Sequence, residues 1–292
     1  MAAEWRFFMA IQWFPGHMAK TRKQISEDIK LVDVIYELVD ARIPMSSRNP
    51  EIDKIAADKP RILLLNKADM ADDDINNLWI DYFKKQGVEC IKLSCKSGEG
   101  IEKIQPLTQK ILSEKNRKRK DRGIVDTSIK AMIVGIPNVG KSTFINKLSG
   151  RAGAKTGDRP GVTTGKQWIT VKGDFKLLDT PGILWPKFED ENVGFRLAFT
   201  GAIKDEIMDV EELACRLLEV LSKHYPDNIF ERYKIDCEGL DSYDLLEEIG
   251  RKRGCVMSGG SINTERCANM LLDEFRATKI GKISLEKPTE EM

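Results

Sequence analysis

Histidine is scarce: two occur in 292 residues, and the six cysteines form no Cys-x-x-Cys pair, so no metal-ligand spacing can be assembled from Cys and His. Scattered thiols without an export signal are expected to be reduced and mostly buried, which points to the cytosol. Long apolar runs are also missing. None approaches the roughly 20 residues needed to cross a bilayer. The apolar start, MAAEWRFFMAIQWF, is interrupted by Glu4, Arg6 and Gln12, and no small-residue cleavage site follows, so it is not read as a signal peptide. Met9 is as acceptable a start as Met1, and there are no internal repeats. Overall charge is nearly absent, at +1, but it is unevenly spread: residues 192–292 carry 14 Lys/Arg against 20 Asp/Glu, leaving +7 on the remainder. The densest cationic run, KNRKRKDR at 115–122, reads either as a solvated helix end or as a contact for a polyanion.

What is present is an alternation. VDVIYELVDA (32–41), RILLLN (61–66), VECIKLS (88–94), IKAMIVG (129–135), QWITVKG (167–173) and FKLLDTPG (175–182) read as strands. Helical segments fall between them: NPEIDKIAAD, DDDINNLWIDYFKKQG with acidic residues at its start and Gly87 at its end, and KSTFINKLSG. A helix over 101–120 must place Pro106 near its first turn or kink there. Strands alternating with helices predict an α/β domain on a mainly parallel sheet. Beyond about residue 186 only helical periodicity remains, in VEELACRLLEVLSKHY, SYDLLEEIGRKRG and NTERCANMLLDEFRATKIG. The expected organisation is a basic leader and helix over 1–30 packed on a domain over 31–186, then a small all-helical domain over 192–292.

Three motifs carry chemistry. Gly135-Ile-Pro-Asn138-Val139-Gly140-Lys141-Ser142-Thr143 matches the phosphate loop GxxxxGK[ST] between a strand and a helix. Its backbone N–H groups, aided by the helix terminus, suit phosphate oxygens; Lys141 suits the β- and γ-phosphates and the Ser142 hydroxyl suits Mg²⁺. Asp179-Thr-Pro-Gly182 ends a later strand, where the carboxylate can hold the Mg²⁺ shell and the Gly182 N–H can reach a γ-phosphate. Asn66-Lys67-Ala68-Asp69 follows a strand, and a carboxylate at 69 can accept from both the ring N–H and the exocyclic amine of guanine, donors that adenine lacks on that edge. Asn66 and the Lys67 stem would support the base, and Ser94-Cys95-Lys96 resembles an auxiliary base-contact loop. Between phosphate loop and DTPG, Asp158-Arg-Pro-Gly-Val-Thr163-Thr164 sits where a switch threonine belongs; Thr163 is favoured over Thr164 as the ligand to Mg²⁺ and γ-phosphate.

The order is unusual, because the base reader precedes the phosphate loop. It is the ordinary order cut after DTPG and rejoined, which a sheet tolerates when the old chain ends lie near each other. Permuted NKAD, SCK, GIPNVGKST, DRPGVTT and DTPGILWP, with the leader WFPGHMAKT at 13–21, resemble the circularly permuted GTPases along essentially the whole chain. The resemblance implies a permuted P-loop domain followed by a helical one, and Mg²⁺-dependent hydrolysis of GTP to GDP. It further implies binding to a precursor of the large ribosomal subunit and its rRNA, with release on hydrolysis. Ile183 and Leu184 follow DTPG where many GTPases carry a water-orienting Gln, and the family favours His17 for that role. Asn138 matches the position at which potassium-stimulated GTPases carry Asn, making K⁺ a second candidate ion. The rRNA contact of the helical domain, at Arg251-Lys252-Arg253, comes from the family and not from charge. Lys20, Arg22, Lys23 and the 115–122 run are further candidates for rRNA phosphates. A monomer with neither DNA nor a membrane as partner is expected. The competing reading is a GTP-gated signalling adaptor whose acidic helical domain binds a protein; a small-subunit factor would carry a zinc site and an extra β-barrel, for which the sequence has no signal. Because DTPG runs straight into the helical domain, loss of the γ-phosphate should move that domain.

Overall fold

A computed structural model describes residues 23–56, 59–123, 128–150, 167–171, 175–180, 190–203 and 208–288. The chain divides into a unit of Trp13–Lys187 with Glu286–Met292 and a unit of Met1–Gln12 with Phe188–Leu285. In the first, β1 (Val34–Asp40) is buried at all seven positions. Such a continuous buried run belongs to a strand covered on both faces, as parallel sheets are. Its neighbours are β2 (Arg61–Asn66) and β4 (Ile129–Val134), both parallel to it. With β3 (Glu89–Lys92), β5 (Gln167–Val171) and β6 (Phe175–Asp179) the sheet order is β3-β2-β1-β4-β6-β5. Only β5, at the edge, runs antiparallel. From β1 the chain builds outward to β2 and β3, then returns to β4 and builds the other way. The reversal between β1 and β4 is a topological switch point, and the carboxyl ends of those strands are where such sheets bind ligands.

Each face of β1 has its own cover. Ile35 packs with Ile25 and Ile29 of helical residues 23–29 and with Ile52 of α1 (Pro50–Ile55), whereas Val39 packs with Leu63, Leu65 and the Trp79 and Phe83 rings of α2 (Asp73–Lys85). α2 starts where Asp72 accepts from the N–H groups of Asp74 and Ile75, a cap worth about 1 kcal/mol. On the opposite face Tyr36 meets Phe144 of α5 (Lys141–Ser149) edge-on at 6.1 Å and stacks on Phe175 at 6.3 Å. The helix that opens at the phosphate loop is thereby wedged against the centre of the sheet.

The segment expected to be one helix over 101–120 is bent. A 3₁₀ turn (Ile101–Lys103) leads into α3 (Ile104–Ile111), with Pro106 in its first turn, and α4 (Ser113–Asp121) follows beyond Leu112. The bend lets Leu112 turn inward, where it is 1% exposed. α4 is latched to the sheet by Asp33, which accepts from Lys115 Nζ (2.7 Å), Arg119 (2.7 Å) and the Lys130 N–H (3.0 Å). Burial opposes ionisation of Asp33, but these donors hold its carboxyl below the usual range. One carboxylate thus joins the connector helix to the amino-terminal ends of β1 and β4.

The second unit is helical: α6 (Glu191–Phe199), α7 (Val210–His224), α8 (Pro226–Tyr233), α9 (Ser242–Arg253) and α10 (Thr264–Arg276). α6 and α8 add to the three segments read from periodicity; α8 opens on Pro226 at its first position, a start signal in plain view. Buried Glu274 on α10 accepts from Arg232 (2.6 Å) and the Tyr233 hydroxyl (2.9 Å) on α8 and from Arg253 (2.6 Å) on α9, tying three helices together. All six thiols are free; Cys95, Cys255 and Cys267 are buried and the other three half-buried. Among the described residues no helix is long and apolar enough to cross a membrane.

Candidate functional site

The phosphate loop leaves β4 under tight steric constraint. A Cβ on Gly135 would stand 2.6 Å from the Leu38 carbonyl of β1, so only glycine passes there. At the other end of the loop Gly140 has φ 102°, and a Cβ on it would overlap the Asn66 side-chain nitrogen. Asn138, with φ 57°, is a residue type that tolerates the left-handed region. Val139 is buried, while Ser142 and Thr143 are half-buried in the first turn of α5. Lys141 is folded back across the loop and donates to the carbonyls of Gly135 (3.0 Å) and Ile136 (2.7 Å). Burial pushes its pKa down to about 8, opposed by the Asp179 carboxylate.

Asp179 ends β6 and is 1% exposed. Its Oδ1 is buried without a hydrogen-bond partner, and burial raises its pKa against the pull of Lys141. An orphaned buried carboxylate oxygen beside a phosphate loop is the donor a hard divalent cation, or its water shell, requires. The residues present therefore fit Mg²⁺.

On the base side one amide joins three loops. Asn66 Nδ2 donates to the Val139 carbonyl (2.7 Å), and Asn66 Oδ1 accepts from the Cys95 N–H (3.0 Å). The segments 66–69 and 94–96 and the phosphate loop, apart in sequence, are thus stapled at a single point. Asn66 was expected to support the base edge; its amide is turned to the two neighbouring loops. Lys67 is left-handed at φ 63° and donates to Asp40 Oδ2 (2.9 Å). Ala68 is fixed by its N–H to the Leu93 carbonyl (3.1 Å) and by Asn76 Nδ2 to its own carbonyl (3.2 Å). Asp69 is exposed. Ser94 is buried and its hydroxyl accepts from the Ser97 N–H (3.3 Å). Burial, with Asp69 nearby, pushes the Cys95 thiol up to about 12, so it stays protonated.

Sequence reading overlooked Asp40 and Arg42. Asp40, at the end of β1, accepts from Arg42 Nε (2.9 Å), Arg42 Nη2 (2.7 Å) and Lys67. Burial would raise this carboxyl, but the two cations hold it well below the usual carboxylate range. The signal was there: a carboxylate at a strand end with an arginine two residues on, in the strand preceding the base reader. His17, Thr163 and Gly182 lie outside the described residues.

A phosphate loop, a strand-end carboxylate and the Asn-Lys-Ala-Asp segment stapled beside them, at the switch point of a mostly parallel sheet, define a P-loop GTPase whose motifs run in permuted order. Comparison with known proteins agrees. The family described as 50S ribosome-binding GTPase matches residues 130–237. Ribosome biogenesis GTPase A of Bacillus cereus is 52% identical over 97% of this chain and 95% of its own. The Thermotoga maritima protein of that name is 32% identical over 96% of this chain and 95% of its own. The GNP-bound crystal structure of YlqF from T. maritima superposes with a TM-score of 0.66 at 30% identity, covering 92% of this chain and 98% of that one. The chain belongs to the ribosome biogenesis GTPase A family, and it hydrolyses GTP.

Proposed function

We propose that this GTPase is a cytosolic assembly factor for the large ribosomal subunit, binding a precursor particle through its rRNA in the GTP state and leaving on hydrolysis. The observation that supports it best is the Asn66 staple between base reader and phosphate loop. It makes one guanine-nucleotide site of two distant motifs, in a chain whose relatives are named for ribosome biogenesis. Asp69 reads the base and the Lys67 stem covers its face, while Asn66, Ala68, Ser94 and Cys95 hold the reading edge. Val139, Gly140, Ser142 and Thr143 offer backbone N–H groups to the phosphates, and Lys141 exchanges its loop carbonyls for phosphate oxygens. Ser142, Thr163 and Asp179 would hold Mg²⁺, which when bound neutralises charge on the β- and γ-phosphates. The Gly182 N–H meets the γ-phosphate, and neutral His17 orients the attacking water. Asn138 is the candidate K⁺ contact. His17→Ala should bind GTP within about twofold of wild type yet hydrolyse it on ribosomal particles ~10²-fold more slowly, the scale of a lost general base. Unchanged turnover would remove His17 from the mechanism.

In the 115–122 run, Lys115, Arg117, Lys118, Lys120 and Arg122 are exposed and Arg119 is half-buried; Lys115 and Arg119 pair with Asp33, and Lys118 with Glu114. In the helical unit Arg251, Lys252 and Arg253 are all exposed, although Arg251 pairs with Glu247 and Glu248 and Arg253 with Glu274. The net acidic charge of residues 192–292 favours a second reading, a GTP-gated adaptor whose helical unit binds protein. GTPase rates measured with and without purified large and small subunits separate the two, and rates in KCl and in NaCl at matched ionic strength test the Asn138 contact. We expect stimulation of tenfold or more by the large subunit alone, with GTP-dependent co-sedimentation that weakens as salt rises. Equal rates with and without particles would favour the adaptor.

A further inference from the structure

We propose that Glu286 is a positioning residue for guanine recognition: the chain's C-terminal tail grips both elements that flank the base reader and thereby slows nucleotide release. The inference rests on the reading of residues 66–69 as the guanine reader.

Glu286 is the first tail residue counted with the nucleotide-binding unit, and it is 6% exposed. Its carboxylate accepts from the Met45 N–H (2.7 Å), the Ser46 N–H (3.0 Å) and the Ser46 hydroxyl. Its backbone carbonyl accepts from the Trp79 indole N–H at 3.2 Å. One residue therefore holds the turn after β1 with its side chain and helix α2 with its main chain. Hydrogen bonds from backbone N–H groups to an ionised carboxylate are about twice as strong as neutral ones, and burial sharpens them.

Both grips lead to the reader. In the turn, the Ile43 N–H donates to the Asp40 carbonyl (2.9 Å) and the Asp40 N–H to the Ser47 hydroxyl (3.0 Å). The Ser47 hydroxyl in turn donates to the Ile43 carbonyl at 2.7 Å. Held this way, Asp40 presents Oδ2 to Lys67 Nζ, and the adjoining Ala41 N–H binds the Asn66 carbonyl at 2.8 Å. In α2, Trp79 is fully buried and stacked on Phe83, and Asn76, one turn earlier, donates to the Ala68 carbonyl. Residues 66–68 are thus held from the turn through Lys67 and Asn66, and from the helix through Ala68. If Glu286 lets go, both supports lose an anchor, and the left-handed Lys67 loses the ordered turn behind Asp40.

The test is the release rate of a fluorescent GDP from full-length protein at a temperature well below unfolding. Glu286→Ala should release GDP about tenfold faster, with kcat at saturating GTP within twofold of wild type. Glu286→Gln, which keeps one acceptor oxygen and the tail's volume, should fall between. Asp40→Asn should also speed release, and the double variant Glu286→Ala/Asp40→Asn should be less than multiplicative, because both act on one support. Should Glu286→Ala fold poorly, Ser46→Ala removes one donor to the same carboxylate and should give a two- to threefold effect. A lowered melting temperature with unchanged release in these variants would make Glu286 a structural fastening only and overturn the proposal. Wild-type protein that holds ADP as well as GDP would instead overturn the base-reader assignment on which it rests.

Discussion

Replacing Asp69 by asparagine should cost on the order of 10³-fold in GTP affinity and bring xanthosine triphosphate into the site. The carboxylate accepts two guanine protons, whereas asparagine offers one acceptor and one donor. Xanthine, with an oxygen in place of the exocyclic amine, accepts from that donor. A site built to hydrogen-bond one edge rejects its mismatch by ~10⁴ because buried polar groups are left unpaired. Asp69 is exposed, so the exchange should leave the fold intact. Its backbone frame is fixed elsewhere, by the hydrogen bonds of Ala68 to Leu93 and Asn76. Competition between GTP and XTP at constant salt, with the melting temperature as control, gives the answer. A variant that keeps GTP and refuses XTP would mean that residues 66–69 do not read the base.

The second large effect belongs to Lys141. Lys141→Ala should lower GTP hydrolysis by ~10³-fold or more, since phosphoryl transfer depends almost entirely on positioning and electrostatics. The nucleotide-free protein should not lose comparable stability. With a folded pKa of about 8 against an ordinary 10.5, the buried ammonium costs the fold on the order of 3 kcal/mol below pH 8. The sign follows directly: a lysine whose folded pKa is depressed destabilises when charged, and that cost fades as pH climbs from about 8 towards 10.5. Phosphate favours the charged form, so binding above pH 8 should take up a proton and weaken about tenfold per pH unit. Calorimetry in two buffers of different ionisation enthalpy measures that uptake. Affinity constant from pH 7 to 9.5 would exclude Lys141 as the phosphate contact.

Much of the fold was legible in local pattern. The strand runs and the strand–loop–helix setting of the phosphate loop are short-range features, and the structure carries them where expected. The meeting of base reader and phosphate loop was legible only as an inference from motif order; the Asn66 amide gives it physical form. What stayed hidden is long-range. A Lys/Arg run looks identical whether it faces water or is spent on Asp33, which lies 86 residues from Arg119. Arg253 likewise gave no sign that Glu274 would claim it. The bend at Leu112 has no proline or glycine to announce it, because tertiary burial sets it.

The division of the chain bears on how the protein can be dissected. In chain order, residues 188–285 are an insert within the nucleotide-binding unit, which resumes at Glu286. Truncation after residue 187 therefore removes more than a helical appendage. It also deletes the residue that fastens Met45, Ser46 and Trp79, and the nucleotide affinity of the shortened chain would understate that of the isolated catalytic half. A faithful excision removes residues 188–285 and keeps the segment from Glu286 onward covalently attached to the nucleotide-binding half.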